Sequence, residues 1–417
     1  MARKVRNRAA NVTSVVRPLA LAVGAAQAAT LLLRPRSNVP EPLPVDVSEH
    51  FSTDEIRRAR RYRRGQLAIF AASTALESAA LTALARGVGP RLPRNPAVAG
   101  ATLSVGTALA TLPFSALSRR RSKAVGLVTQ SWKGWAGDVA KAQALGAGMA
   151  AGAAGAASAL HRRYGDDWWA PGAAGAVIAG VGLSVLSPIL LDPIFNKFTP
   201  LPEGELRSDV LALADRAGVK VGEVYSVDAS RRTTASNAYV NGLGPSKRVV
   251  LFDTLIADYE PAQTRLVVAH ELGHVKHRDV QASLVLIALL APLALRAIAL
   301  LARDLSDGDE RRWLPALALA GGVVATPIGL VTNRLTRRIE ARTDAFALDL
   351  VGPGGAEPFI DFHRQITIKN VGDPDPPRWL HALLGTHPSA VERIGIAQRY
   401  AVTSGEPERR RSSEPQA

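Results

Sequence analysis

The feature that most constrains this fold is the alternation of long apolar runs with dense clusters of arginine. Seven runs, rich in Ala, Leu, Val and Gly, each approach the roughly twenty residues that a bilayer-spanning helix requires. They cover residues 18–33, 66–85, 96–118, 139–160, 170–191, 282–301 and 314–331. The pattern predicts a mainly α-helical, polytopic membrane protein with seven spans, of which the first is short and the fourth is weakly apolar.

The first run has an alternative interpretation. Arg3, Lys4, Arg6 and Arg8 precede it, and it ends near Ala26-Gln27-Ala28, a pattern that is also typical of a cleavable secretory signal. Arg34 and Arg36 follow the run directly and oppose export of what comes next. We therefore expect an uncleaved first helix.

The basic charge of the chain is best explained by a membrane. The net charge is +15, and arginine and lysine concentrate in the loops after the first and third runs. Such loops remain cytoplasmic and face anionic headgroups. A nucleic-acid partner is not expected, because no reader motif accompanies the charge. The chain has no cysteine, which excludes thiolate metal ligands, so any zinc must be held by histidine and carboxylate.

One short motif carries the chemistry. His270 and His274 are four residues apart in a stretch that reads as a helix from 262 to 277, and Glu271 stands beside them. Side chains at this spacing share one helix face about 5–6 Å apart, so both imidazoles can bind a single zinc ion. Glu271 is then placed to accept a proton from water. Gly273 is expected to leave room beside the ion.

A third protein ligand must come from elsewhere in the chain, with a fourth position left for water. His277 shares the face, but it lies about 10 Å along the helix from His270, too far for one ion. The longer motif with a third histidine fails, because its position is Val280.

Carboxylates after the last apolar run compete for the role of third ligand. Glu340 and Asp344 are four residues apart in a helical stretch, residues 333–344. From the residues alone, Glu340 is either a ligand or an ordinary partner of Arg337 or Arg338. Asp344 would orient a ligand histidine or a water molecule.

At this point the residues resemble a known family, the type I CAAX prenyl proteases, which are seven-span zinc endopeptidases, and their bacterial relatives. The similarity extends from about residue 186 to residue 397 and includes several separate motifs in the same order. These are residues 195–204, 236–242, 247–255 and 333–344, the zinc helix, His387-Pro388 and Glu392-Arg393.

The resemblance implies roles for individual residues. It implies that Glu340 is the third zinc ligand, and that Asp344 acts beside the metal or donates a proton. It further implies that a strand containing Asn237 and Ala238 pairs with an extended peptide substrate, which agrees with the physics of strand addition at a sheet edge. His387 is implied to stabilise the oxyanion, with Arg393 nearby as a substrate-binding residue.

These inferences together predict a zincin-type catalytic domain with a small β element, embedded in a helical membrane protein. The expected division is residues 1–191 with about five spans, 192–281 with the zinc helix, 282–331 with two spans, 332–402 with the third ligand, and a disordered tail at 403–417. One zinc ion per chain is expected.

The predicted function is cleavage of extended peptide or protein substrates by activated water, of CAAX type or in related membrane-peptide processing. The bilayer is the expected surrounding, in the cell (inner) membrane, with the active site facing the cytoplasm. Two alternatives remain at this stage: a four-span quality-control protease of the HtpX type, and a non-enzymatic scaffold with a vestigial zinc site. The number of spans distinguishes the first alternative, and the complete set of site residues argues against the second.

Overall fold

A computed structural model describes residues 2–36, 39–242 and 247–405, with side chains from residue 16 onward. Fifteen α-helices lie within these ranges. They are α1 (Ala2–Leu33), α2 (Val47–His50), α3 (Thr53–Ala85), α4 (Pro96–Ala124), α5 (Trp132–Tyr164), α6 (Trp169–Leu186), α7 (Asp192–Phe195), α8 (Glu205–Ala217), α9 (Asp253–Asp258), α10 (Pro261–Lys276), α11 (Asp279–Ser306), α12 (Glu310–Val351), α13 (Ala356–Lys369), α14 (Arg378–Leu384) and α15 (Ala390–Ser404). The prediction of a mainly α-helical polytopic protein is confirmed.

Six of the described helices are long and apolar enough to cross a membrane, namely α1, α3, α4, α6, α11 and α12. The fourth predicted span lies in α5, which is a 33-residue helix but is not among those six. Its Ala- and Gly-rich composition makes it less apolar than the others. It packs along α4, where Gly100 brings the two backbones close: a Cβ there would lie 2.5 Å from the carbonyl oxygen of Ala150.

The chain between the first membrane helices and the last two contributes four strands, which form one sheet. The strands are β1 (Phe198–Pro200), β2 (Glu223–Val227), β3 (Ala238–Asn241) and β4 (Arg248–Phe252), in the spatial order β1-β2-β4-β3. β2 and β4 are parallel, while β1 and β3 run antiparallel to their neighbours. β3 is the last strand in this order and therefore an edge strand.

The sheet and the motif helix share one hydrophobic core. Val249 and Leu251 of β4 pack with Val268 and Leu272 of α10, and all four side chains are fully buried. α10 begins with a capping box formed by Glu260 and Gln263, and Pro261 occupies its first position. The core therefore fixes the apolar face of α10 and turns its polar face towards α12.

α12 runs without interruption for 42 residues and connects the membrane bundle to the sheet-containing region. It contacts α1, α3 and α11 in the bundle and α10 and α15 beyond it. It crosses the predicted domain boundary at residue 331 as one helix, so the division into domains remains a prediction. Thr403 and Ser404, assigned to the tail, are the last residues of α15, while 406–417 lie outside the described residues.

Candidate metal centre

Three side chains from two helices converge at the polar face of α10. The Nε2 atoms of His270 and His274 are 3.2 Å apart. Glu340 of α12 places Oε2 3.3 Å from Nε2 of His270 and Oε1 3.5 Å from Nε2 of His274. These side chains form a group that could hold a metal ion. Glu340 is itself 7 % exposed, so its carboxylate is directed into the protein.

The opposite nitrogen of each imidazole faces a carboxylate. Nδ1 of His270 lies 2.9 Å from Oδ1 of Asp344, and Nδ1 of His274 lies 2.9 Å from Oδ2 of Asp279. A carboxylate in this position holds the proton on Nδ1 and leaves the Nε2 lone pair free to face the centre. Both histidines are thus oriented as ligands by a second residue.

Two arginines complete the network. Arg393 of α15 places Nη2 3.1 Å from Oε2 of Glu340 and Nε 3.4 Å from Oδ2 of Asp344. Arg342 places Nη2 2.5 Å from Oδ1 of Asp279. The planar donor fork of a guanidinium group fixes carboxylates in a defined geometry. The family resemblance implies that Arg393 binds substrate, whereas its contacts in the structure are to Glu340 and Asp344.

Electrostatics at His270 reflect these neighbours. Burial on its own lowers the pKa of His270, but hydrogen bonds to Asp344 and Glu340 outweigh it and raise the pKa to about 10. The two carboxylates therefore favour positive charge at this imidazole. A metal ion would bind there in competition with protons.

Glu271 differs from its neighbours in having no fixed partner. Within the described part of the chain, its carboxylate has no hydrogen bond or ion pair, and it is partly exposed beside the donors. Burial raises the pKa of Glu271, and the charges of His270 and His274 oppose that shift. A carboxylate with a raised pKa is a stronger base than a solvated one and remains free to accept a proton.

His387 lies at the open side of the centre. Its Nε2 is 3.5 Å from Oε2 of Glu340, its Nδ1 is 2.8 Å from Oγ1 of Thr386, and 58 % of its side chain is exposed. Burial of the ring lowers the pKa of His387, with an opposing effect from Glu340. The residue is therefore close to the donors and accessible to an incoming molecule.

The edge strand β3 lies beside α10. The backbone N–H of Phe252 donates to the carbonyl of Asn237, so these two residues form a hydrogen-bonded pair. Along β3, hydrogen-bonded and non-hydrogen-bonded pairs then alternate. By this alternation, the backbone groups of Ala238 and Val240 face away from β4, towards the open edge. The Asn237 side chain is exposed, whereas that of Ala238 is buried.

The match to known proteins is concentrated in the C-terminal half. Residues 200–401 match the model of peptidase family M48. A 250-residue segment is 30 % identical to the "Uncharacterized metalloprotease YhfN" of Bacillus subtilis and covers 58 % of each chain. A 227-residue segment is 33 % identical to the "CAAX prenyl protease 1 homolog" of Arabidopsis thaliana, covering 52 % of this chain and 53 % of the relative. The chain thus spans between half and two thirds of these relatives.

The whole fold is similar to that of a solved structure. The crystal structure of Ste24p from S. mikatae superposes with a TM-score of 0.73 at 20 % identity, over 91 % of this chain and 98 % of that one. This chain is similar in sequence to the CAAX prenyl proteases and a bacterial metalloprotease, and similar in fold to Ste24p. The resemblance inferred from the separate motifs is confirmed. At this low identity the structural match shows the fold alone.

The number of apolar helices also bears on the alternatives. The six found among the described helices exceed the four spans that the HtpX-type alternative requires. The chain is accordingly an integral membrane protein.

Several sequence-based expectations were incomplete or wrong. Gly273 does not make room for an ion. A Cβ at that position would lie 2.8 Å from Cγ2 of Thr343 and 2.9 Å from Cδ1 of Phe346, so the glycine lets α10 approach α12. Neither Arg337 nor Arg338 pairs with Glu340 among the described contacts. Arg337 instead donates to backbone carbonyls that include that of Gly385.

Two residues of the network were missed by sequence reasoning. Asp279 stands five positions after His274, beyond the end of α10, and Arg342 lies between the two carboxylates of α12. The only available signal was an acidic residue directly after the motif helix. His277, which was excluded as a ligand, caps the helix end with Nδ1 2.8 Å from the carbonyl of Gly273.

Proposed function

We propose that the chain is a membrane-embedded, zinc-dependent endopeptidase with one zinc ion, held by His270, His274 and Glu340. The spacing of the three donors carries this proposal. Ligands of a tetrahedral zinc ion, at bonds of about 2.1 Å, stand roughly 3.4 Å from one another. The two imidazole nitrogens are 3.2 Å apart, and each has one oxygen of the Glu340 carboxylate at 3.3 or 3.5 Å, which is close to that value.

The charge of the surrounding groups also fits a divalent cation. Glu271, Asp279, Glu340 and Asp344 contribute four carboxylates, and Arg342 and Arg393 contribute two guanidinium groups. The excess is two negative charges when both histidines are neutral. A zinc ion supplies Lewis acidity there, which polarises a carbonyl group and makes water acidic enough to lose a proton near neutral pH.

The protein's own residues perform the remaining steps. Glu271 accepts the proton of the attacking water at its carboxylate and later returns it to the leaving amine. His387 donates a hydrogen bond to the oxygen on which negative charge develops. Asp344 and Asp279 hold the Nδ1 protons of the two ligand histidines and so maintain their orientation. Arg393 keeps Glu340 and Asp344 ionised and fixed.

The peptide substrate is proposed to bind in extended form along β3. The outward backbone groups of Ala238 and Val240 provide hydrogen bonds for an added antiparallel strand, and Asn237 contacts a side chain or the backbone of the substrate. The sheet places this edge next to α10. The scissile bond of an added strand would then lie over the zinc helix.

The substrate class is proposed from the relatives. CAAX prenyl protease 1 homologues are among the relatives of this chain, so processing of CAAX-type or related membrane peptides is the function proposed for it. The proposed location is the cell membrane, with the metal centre on the cytoplasmic side, because the arginine-rich loops flank that side of the bundle.

The decisive experiment separates metal binding from turnover. Glu271→Gln in the purified full-length protein should retain zinc and lose about 10²–10⁴-fold in the rate of cleavage of a quenched peptide. Glu203→Gln, at an exposed glutamate with no described partner, is the matched control and should behave as the parent does. Undiminished turnover by Glu271→Gln would refute the proposed mechanism.

A second experiment tests the substrate edge. Val240→Pro removes one outward N–H, and proline is tolerated at an edge strand when that N–H is not in the ladder. Loss of one hydrogen bond should raise KM by about two- to tenfold, with little change in kcat. Val240→Thr keeps the N–H and should leave KM near the parent value. Equal KM values for the two variants would argue against strand addition at β3.

A further inference from the structure

A second cavity lies at the opposite end of the bundle from the metal centre. It has a volume of about 1100 Å³ and is lined by the end of α3, the start of α4, the end of α5, the end of α11 and the start of α12. Four of these helices are candidate membrane spans, and all four begin or end there. From Trp313 to Glu340 is 27 residues of α12, or about 40 Å. The cavity therefore lies at the other membrane face.

Aromatic side chains mark the depth of this cavity in the bilayer. Trp168 and Trp313 are buried against each other with ring centroids 5.6 Å apart, and His161 stacks on Trp313 at 4.8 Å. Tryptophan is enriched at the level of the lipid headgroups, where one part of the ring is apolar and the other is wet. Both tryptophans also line the cavity, so it has an aromatic wall at this end of the bundle.

The lining is strongly basic. Seven arginines and four carboxylates surround the cavity, an excess of three positive charges. Arg303 pairs with Asp166, Arg296 with Asp167 and Arg312 with Asp309. The other four arginines have no ion pair or hydrogen bond from their guanidinium groups within the described ranges; they are Arg91, Arg94, Arg162 and Arg311. All four are exposed and available to a ligand.

The carboxylates that could have neutralised these groups are already engaged. Asp166, Asp167 and Asp309 each pair with one of the other three arginines, which leaves only Glu310 among the lining carboxylates outside those pairs. Guanidinium groups bind phosphate oxygens in a planar, bidentate geometry. A basic pocket between membrane helices is suited to an anionic headgroup.

We propose that this cavity binds a phosphate group, supplied by an anionic phospholipid of the surrounding leaflet or by free phosphate. The unpaired arginines bind the phosphate oxygens, and the tryptophan cluster contacts the apolar part of a lipid. The site is independent of the metal centre, because its residues and those of the centre are separated by the thickness of the bundle.

The test uses the purified full-length protein and three soluble probes. These are dihexanoyl phosphatidylglycerol, dihexanoyl phosphatidylcholine and inorganic phosphate, each titrated by calorimetry below its micellar concentration. The proposal expects saturable binding of the phosphatidylglycerol, weaker with rising salt, and at least about tenfold weaker binding of the zwitterionic lipid. Tighter binding of inorganic phosphate than of the lipid would identify free phosphate as the source. Binding of neither anion would overturn the proposal.

A matched pair of variants locates the binding. Arg91→Gln/Arg162→Gln removes two charges from the lining and should weaken anion binding by about tenfold or more. Arg86→Gln/Arg163→Gln removes two charges from the same two regions, the segment after α3 and the end of α5, at arginines that do not line the cavity, and should leave binding nearly unchanged. Equal losses in both variants would show that binding follows net charge alone, which refutes a built site. Preferential binding of an acidic peptide such as hexaglutamate would also refute it.

Discussion

The two ends of α12 carry opposite electrostatic designs. At the metal end, Glu340 and Asp344 meet two histidines and Arg393, and every charged group except Glu271 has a described partner. At the other end, arginines outnumber carboxylates, and four of the arginines have no described ion pair or hydrogen bond from their guanidinium groups. The first arrangement is preorganised around a small cation. The second leaves positive charge open to an external anion, and one continuous helix holds both ends in place.

The largest effect is expected on zinc affinity, when the proposed ligand Glu340 at the metal end is replaced. Glu340→Gln keeps the shape of the side chain but removes the charge that faces both Nε2 atoms. Because even residues that only orient a ligand change metal affinity by about 10–100-fold, loss of a ligand should exceed about 100-fold. Competition with a zinc-sensitive dye measures it. Unchanged affinity would mean that another residue completes the site.

The next largest effect is expected for the stability of the protein when one arginine from each end of α12 is replaced. Arg393 is 14 % exposed and pairs with two buried carboxylates, whereas the pair of Arg303 and Asp166 is more than half exposed on both sides. Arg393→Gln should destabilise the protein by about 3–5 kcal/mol, because buried charges lose their partner. Arg303→Gln should cost about 0.2–1 kcal/mol. Thermal unfolding in the same detergent tests the difference, and similar losses would contradict the contrast between the ends.

Replacement of Asp344 or Asp279, whose carboxylates face the Nδ1 atoms of the two histidines, should have an intermediate effect on zinc affinity. Asp344→Asn and Asp279→Asn each remove a charged acceptor for an Nδ1 proton and should weaken zinc binding by about 10–100-fold. Asp349→Asn, on the exposed side of the same helix α12, is the control and should not change it. If Asp279→Asn matched that control, the contact with His274 would have no role in holding the metal.

The smallest predicted effect concerns the approach of α10 to α12. Gly273→Ala puts a methyl group within 3 Å of Thr343 and Phe346, and should cost about 1 kcal/mol, the lower end of the range for overpacking. Gly137→Ala in α5 meets no heavy atom within 4 Å and should be neutral or mildly stabilising. The reverse order of thermal midpoints would show that α10 and α12 can separate without loss.

What the sequence could predict was decided by the range of the interactions. The pairing of His270 with His274 follows from helix periodicity, and the apolar runs follow from the thickness of a bilayer. Glu340 lies 66 residues beyond His274, across two membrane helices, so no local rule separated a ligand from a surface ion pair. Only the family motif selected it, and the structure brings its carboxylate to the two imidazoles.

Features that depend on packing between distant segments were not predictable. The parallel pairing of β2 with β4 requires a crossover through β3, and a five-residue apolar run gives no register. Asp279 was missed because it follows a residue in the left-handed conformation, Arg278 with φ of 57°, which redirects the chain so that a carboxylate outside α10 returns to His274. Gly273 was misinterpreted because a missing side chain does not reveal which neighbour fills the space.

The most direct test of the central claim is anomalous diffraction at the zinc edge from crystals of the full-length protein. The account predicts one peak per chain, at about 2.1 Å from Nε2 of His270, Nε2 of His274 and a carboxylate oxygen of Glu340. A peak coordinated by His277 or by residues of another segment, with Glu340 bound only to Arg393, would contradict it.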